Sequence, residues 1–205
     1  MIIDKKLSFK TYEEEIFKKP TIFVYVCPKC GARHSLIRHC TYQRHICYIE
    51  GVSIAVLEKK ITILRLLCTS CDSTHAILPN DIIPYKTFSE STINYILQKY
   101  FVFEQSISMI SKELNLSYQF VRSIIYKALM FVRILFVFLR LLGVELISPH
   151  FPNIIFKALY GHFKDTKTLS IEYYQNEQWP FLMTKFFNKK FNENLSIPIY
   201  LKLYY

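Results

Sequence analysis

Cys27-Pro28-Lys29-Cys30-Gly31 and Cys68-Thr69-Ser70-Cys71-Asp72 are the two stretches on which the reading of this chain turns. Two residues between cysteines let both sulfurs of a tight turn face one ion, while backbone N–H groups of the turn point at the sulfurs. Gly31 suits the position after the second cysteine, where such a turn needs positive φ. Four thiolates close a tetrahedron and leave no open position for water or substrate. Cys27, Cys30, Cys68 and Cys71 are therefore expected to hold one structural Zn2+, whose binding energy becomes folding energy. His34, His39, His45 and Cys40 compete as ligands by residue type, but the paired cysteines take precedence and exposed polar positions on strands or loops are the favoured reading of the histidines. Cys40 and Cys47 read as strand or buried cysteines.

The insert between the two pairs fits the same picture. Thr41 to Ile49 and Ile61 to Leu67 are β-rich runs joined around Glu50-Gly51, so a hairpin can return the second pair to the first. That arrangement predicts a zinc ribbon over residues 21–80, preceded by an N-terminal extension at 1–20.

After Pro79 and Pro84 the hydrophobic period changes from two to about 3.6. Ser89 can cap a helix with Ile93, Ile96, Leu97, Tyr100 and Phe101 inward, and Ser106 can cap a second with Ile107, Ile110 and Leu114 inward. Asn115-Leu116-Ser117 then forms a short turn, and Ser117 caps a third helix burying Val121, Ile124, Ile125 and Leu129. The run from Ser106 to Ile125 resembles the helix-turn-helix of transposase, resolvase and sigma-factor-like DNA-binding domains. That resemblance implies that Tyr118, Gln119, Arg122 and Ser123 face a major groove, with Ser117 and Lys127 near phosphates. With no breaker before Gly143, the third helix is expected to run on as one rod. Its basic stripe would be Arg122, Arg133 and Arg140, and Leu135, Phe138 and Leu142 opposite would offer a bundle or homodimer contact.

The fold class expected is therefore α+β. A zinc ribbon with a β-hairpin and a four-cysteine site precedes a three-helix domain at 86–146, and a helical or irregular segment follows at 147–205. Asn153 to Tyr160 reads as a helix in that last segment.

Charge narrows the partners. The 205 residues carry 26 Lys and Arg against 16 Asp and Glu, for a formal charge of +10, which favours a polyanion such as double-stranded DNA. A composition rich in Lys, Ile, Asn, Phe and Tyr is what AT-rich coding produces, so lysine says less than arginine. All seven arginines, Arg33, Arg38, Arg44, Arg65, Arg122, Arg133 and Arg140, lie in the two expected modules. Arg38 and Arg44 on the hairpin are expected to touch phosphate. The start of the chain turns charged at Asp4-Lys5-Lys6 before any apolar run develops, so a cytoplasmic protein without a signal peptide is expected. The apolar stretch from Leu129 to Val144 is interrupted by Arg133 and Arg140, which argues against a membrane span. Glu145, Asp165, Glu172, Glu177 and Glu193 show no paired spacing, and no phosphate loop, nucleophile elbow or HExxH occurs, so no enzyme and no small-molecule substrate are expected.

The order of parts is itself familiar. The Cys27–Gly31 turn, the basic hairpin, Cys68-x-x-Cys71, Thr74-His75-Ala76-Ile77-Leu78-Pro79 and Pro84-Tyr85 resemble a bacterial family of unknown function. That family is similar to the zinc-binding and helix-turn-helix regions of insertion-sequence transposases. The resemblance implies DNA binding with mobile-element ancestry, and it covers roughly residues 20 to 130. The leading expectation is a non-enzymatic, zinc-dependent DNA-binding protein, regulatory or associated with a mobile element. The alternatives are a module that binds the transcription machinery, or a DNA-binding remnant or subunit of a transposase.

Overall fold

The computed structural model describes residues 2–4, 7–18, 22–50, 53–163, 165, 168, 169, 172 and 173. The chain divides into two compact units, Met1–Glu50 with Val56–Glu90, and Gly51–Ala55 with Ser91–Tyr205.

The first unit is a five-stranded sheet with one helix. In chain order its elements are β1 (Ile2–Asp4), α1 (Tyr12–Lys18), β2 (Ile22–Phe23), β3 (Leu36–Glu50), β4 (Ser53–Cys68) and β5 (Thr74–Pro79), and the strands lie in the order β1-β5-β4-β3-β2. The expected hairpin is β3 and β4, longer at both ends than the β-rich runs suggested. Strand β5 runs antiparallel to β4 with Leu66 opposite His75, and β1 lies parallel to β5. The core gathers Leu36, Ile46, Ile61, Ile63, Leu64, Leu66, Ile77 and Leu78.

Residues 1–20, expected as an extension, are part of this unit. Tyr12 and Ile16, one helical turn apart on α1, are fully buried in the core. Helix α1 also supplies hydrogen bonds that the sheet lacks. The N–H of Leu64 donates to the Tyr12 hydroxyl (3.1 Å), which donates in turn to the Ile77 carbonyl (2.8 Å). One hydroxyl therefore links β4 to β5, and burial pushes its pKa up to about 12. The N–H of Thr62 donates to the Glu13 carboxylate at 2.7 Å, and the Thr62 hydroxyl first, then this N–H, hold the carboxyl below its ordinary range. Backbone donors in a sheet need partners wherever they come from. Here they come from a helix remote in sequence.

The second unit is helical: α2 (Glu90–Phe101), α3 (Ile107–Leu114), α4 (Tyr118–Met130), α5 (Val132–Leu141) and α6 (Pro152–His162). Of the inward residues expected for the first helix, Ile93, Ile96, Leu97 and Phe101 are buried and Tyr100 is half-buried. Both serine caps of α3 and α4 form: Ser106 accepts from the N–H of Met109 and Ser117 from the N–H of Phe120. Between them Asn115 sits in the left-handed region (φ 50°, ψ 41°), and the N–H groups of Asn115 and Leu116 return to Lys112 and Ser111. That closes α3 as a Schellman motif with Asn115 as its left-handed residue. Glu113 on α3 accepts from Tyr95 (2.6 Å) and pairs with Lys99 (2.9 Å), which ties α3 to α2.

One expectation fails here. The third helix is not a continuous rod: α4 ends at Met130 and α5 begins at Val132. At the junction the N–H of Phe131 bonds back three residues to Ala128, a 3₁₀-like step. The reason lies in the period. Buried residues recur every seven positions straight through the break, as Val121/Ala128/Leu135, Ile124/Phe131/Phe138 and Ile125/Val132/Leu139. A straight α-helix falls short of that repeat by about 20° per heptad. One step of about 120° in place of about 100° restores the phase. The arginines of the expected stripe are therefore divided between two helices, Arg122 on α4 and Arg133 and Arg140 on α5, and all three are exposed.

Leu135 and Phe138, expected to make a bundle or homodimer contact, are wholly buried within the chain, and Leu142 beside them is half-buried. Phe138 packs on Phe163 and, edge to face, on Tyr173. Helix α6 covers this side of α5 and spans the helix expected at Asn153 to Tyr160. Phe156 stacks on Phe101 of α2 at 4.1 Å, and the Tyr160 hydroxyl donates to Asn94 at 2.8 Å. Val137 and Leu141 remain exposed on α5. Residues 174–205 lie outside the described residues. Among those described, no helix is long and apolar enough to cross a membrane.

Candidate metal centre

The two cysteine turns adopt the same backbone pattern. In the first, the N–H of Gly31 donates to the Cys27 carbonyl and the N–H of Cys27 to that of Ala32, both at 2.9 Å. In the second, Asp72 donates to Cys68 at 2.9 Å and Cys68 to Ser73 at 3.0 Å. Gly31 and Asp72 occupy equivalent places, with φ of 75° and 52°. The positive φ expected of Gly31 is therefore present, and an aspartate meets the same demand in the second turn. The turns are joined directly, because the N–H of Thr69 donates to the Ser35 carbonyl at 2.8 Å.

This pairing brings Cys27, Cys30, Cys68 and Cys71 together, with all four sulfurs within 4.8 Å of one another. The Cys27 to Cys71 and Cys30 to Cys68 separations are 3.8 and 3.7 Å. A tetrahedral ion about 2.3 Å from each sulfur requires edges of about 3.8 Å. The spacing therefore fits a metal ion held by four thiolates, and it is too long for a disulfide, whose S–S bond is about 2.05 Å.

Electrostatics at the sulfurs are uneven. Burial alone would raise the Cys27 thiol, but the N–H groups of Cys30 and Lys29 aimed at its sulfur bring it below its ordinary value. The Ser35 hydroxyl, 3.3 Å from the Cys68 sulfur, is the chief reason that thiol falls to about 6. For Cys30, the N–H of Ala32 favours the thiolate, but desolvation of the sulfur by the neighbouring turn and the other sulfurs prevail and push it up to about 12, although the residue as a whole is exposed. A cation bound by the four sulfurs must displace the protons that they carry without it.

His75, on β5, has its Nε2 only 3.3 Å from the Cys27 sulfur and is buried. Sequence reasoning weighed His34, His39 and His45 and passed over this residue. Its signal was a histidine four residues past the last cysteine in a β-rich run. None of His34, His39, His45 and Cys40 joins the cluster, which among the described residues consists of the four cysteines alone.

The residues expected to meet DNA fall into two groups. On α4, Tyr118, Gln119, Arg122 and Lys127 are exposed on the face opposite Val121, Ile124, Ile125 and Ala128, and Ser117 is exposed at the cap. Ser123 is half-buried and its hydroxyl donates to the Phe120 carbonyl. On the hairpin, Arg38 donates to the carbonyls of Ile16 and Phe17 at the end of α1 and lies over the Phe17 and Phe23 rings. Arg44 donates to the carbonyls of Ile83 and Lys86, and burial lowers its guanidinium pKa. Both guanidiniums are engaged in holding the first unit together, which leaves them fewer donors for phosphate than an exposed arginine has.

A sequence profile for a domain of unknown function (DUF6431) matches residues 27–114. The match opens on the first cysteine and closes on the last residue of α3. No curated protein and no solved structure matches the chain. The likeness to transposases stated above therefore rests on the quoted motifs alone.

Proposed function

We propose that this chain is a zinc-dependent, non-enzymatic DNA-binding protein, regulatory or associated with a mobile element, which acts in the cytoplasm. In this reading the cysteine turns and the β3–β4 hairpin are a zinc ribbon, and α2, α3 and α4 are a helix-turn-helix domain. The metal is structural, because four sulfurs fill the tetrahedron. Zinc suits a closed set of four thiolates, has no redox chemistry and tolerates this geometry.

The observation that carries the DNA reading is the first half of α4. A left-handed turn and a serine cap launch this helix with Tyr118, Gln119 and Arg122 exposed, while the opposite face is committed to the core. A helix entering the major groove meets base edges with its N-terminal residues. Gln119 carries the amide that pairs with adenine and Arg122 the fork that pairs with guanine, and Ser117 and Lys127 lie where phosphates pass. Arg133 and Arg140, exposed on α5, add positive charge.

Selection of bound sequences from a random duplex library tests this. Enrichment of a defined motif supports the reading. Binding without a motif, together with capture of RNA polymerase by the same protein, would move the function to an interaction module of the transcription machinery.

A further inference from the structure

The four sulfurs differ in their surroundings. Cys27 and Cys68 are 1% and 0% exposed, and each has a buried polar side-chain atom at 3.3 Å, His75 Nε2 for Cys27 and Ser35 Oγ for Cys68, which can donate to the sulfur once it is a thiolate. Cys30 is exposed and Cys71 half-buried. Each turn thus places its first cysteine inward and its second outward.

We infer that His75 and Ser35 are positioning residues that clamp Cys27 and Cys68 onto the metal and make Cys30 the ligand through which electrophiles enter and the metal leaves. The inference rests on the zinc centre proposed above and adds direction to it. A metal-bound thiolate carries excess negative charge, and a hydrogen bond from a buried donor disperses that charge and fixes the sulfur's orientation. In a low-dielectric surrounding the donor cannot be replaced by water, so its loss is felt at the metal. Cys30 lacks such shielding from solvent. The main-chain hydrogen bonds that close the two turns are alike, and the two buried side chains, together with the difference in burial, set the first cysteine of each turn apart from the second. His75 arrives on β5 and Ser35 lies just before β3, so the clamp also reports whether the sheet is assembled.

The test uses the full chain carrying Cys40→Ser, which removes an exposed cysteine outside the cluster. Purified protein is first assayed for zinc. It is then treated with limiting iodoacetamide: a sulfur attacks the methylene carbon, the S–C bond forms, iodide leaves with the C–I electron pair, and the alkylated sulfur no longer bridges charge to the metal. Released zinc is read with a chromophoric chelator, and modified cysteines are mapped by mass spectrometry. Cys30 should be alkylated first, in step with zinc release, and Cys27 and Cys68 only afterwards. In parallel, His75→Phe and Ser35→Ala should each weaken metal affinity by about 10- to 100-fold. They should also shift the sulfur-to-metal charge-transfer band of the cobalt form. His75→Gln and Ser35→Thr, which keep a donor, should restore most of both. If His75→Phe fails to fold, the Ser35 pair and the alkylation order still decide. Stoichiometric zinc with Cys27 or Cys68 modified as early as Cys30, or with affinity unchanged in both donor-free variants, overturns this inference alone. Folded protein that holds no zinc at all overturns the zinc centre with it.

Discussion

The cysteine turns and the α4–α5 segment are organised in opposite ways. In the turns, two five-residue stretches that share little beyond their cysteines close with the same hydrogen bonds around one point. Along α4 and α5, an unbroken seven-residue pattern of buried side chains is served by two helices, and the adjustment is spread over a packed core. A point constraint fails all at once, whereas a distributed one fails by increments. The first unit should therefore respond to the metal as a switch and the second should respond to substitutions in proportion to what each one buries.

Cys68→Ser should have the largest effect. Structural zinc centres of this kind contribute on the order of 10 kcal/mol to folding at neutral pH, more than a domain's usual net stability. Loss of stoichiometric zinc and of the β-sheet signals of the first unit is expected, with helical signals of the second retained. Acid should act in the same direction. Cys30, held near 12 without metal, must give up a proton to bind it, so affinity is full at high pH and falls as pH drops. Zinc content across a pH series, read beside circular dichroism, checks both. Zinc-free protein with an intact sheet would break the contrast.

Phe138→Ala comes next, at about 3 to 5 kcal/mol by thermal or denaturant unfolding of the second unit. This ring is fully buried against Phe163 and Tyr173, and zinc content should not change. A cost near zero would show that α5 is less tightly packed than its burial indicates.

Gln119→Ala and Arg122→Ala should each cost about 1 to 3 kcal/mol on a selected DNA site and much less on random duplex. Lys127→Ala should weaken both kinds of DNA alike and lower the salt slope by about one ion. Binding titrations at two salt concentrations separate these roles, and three wild-type curves would take α4 out of the groove.

Ser117→Ala removes the cap of α4 and should cost about 1 kcal/mol of unfolding free energy. The smallest effects sharpen the comparison between the two turns. Gly31→Ala meets no atom within 4 Å, so only its positive φ resists, at about 1 kcal/mol. Asp72→Gly relieves the equivalent position, and a gain of under about 1 kcal/mol is expected in chelator-challenge or melting experiments. Equal losses in both variants would mean that Asp72 has a role beyond its backbone.

The chemistry that the sequence determined by itself is local. Two cysteines two residues apart can make only a few turns, a serine before an apolar period caps its own helix, and alternating β-rich runs around Glu50-Gly51 close on each other. The four-cysteine cluster, the hairpin, both caps and the short turn at Asn115 were legible for that reason. What only the tertiary structure decided depends on partners far apart in the chain. Arg38 and Arg44 read as free charges until the carbonyls of α1 and of the Ile83–Lys86 segment arrive beside them. Tyr12 lies in the stretch expected only as an N-terminal extension, and it becomes core because β4 and β5 present a donor and an acceptor to its hydroxyl. His75 becomes a neighbour of Cys27 through strand pairing across 48 residues. The break at Phe131 was hidden because a seven-residue period looks the same whether one helix drifts or two reset the phase; burial on both sides of the junction chose the second.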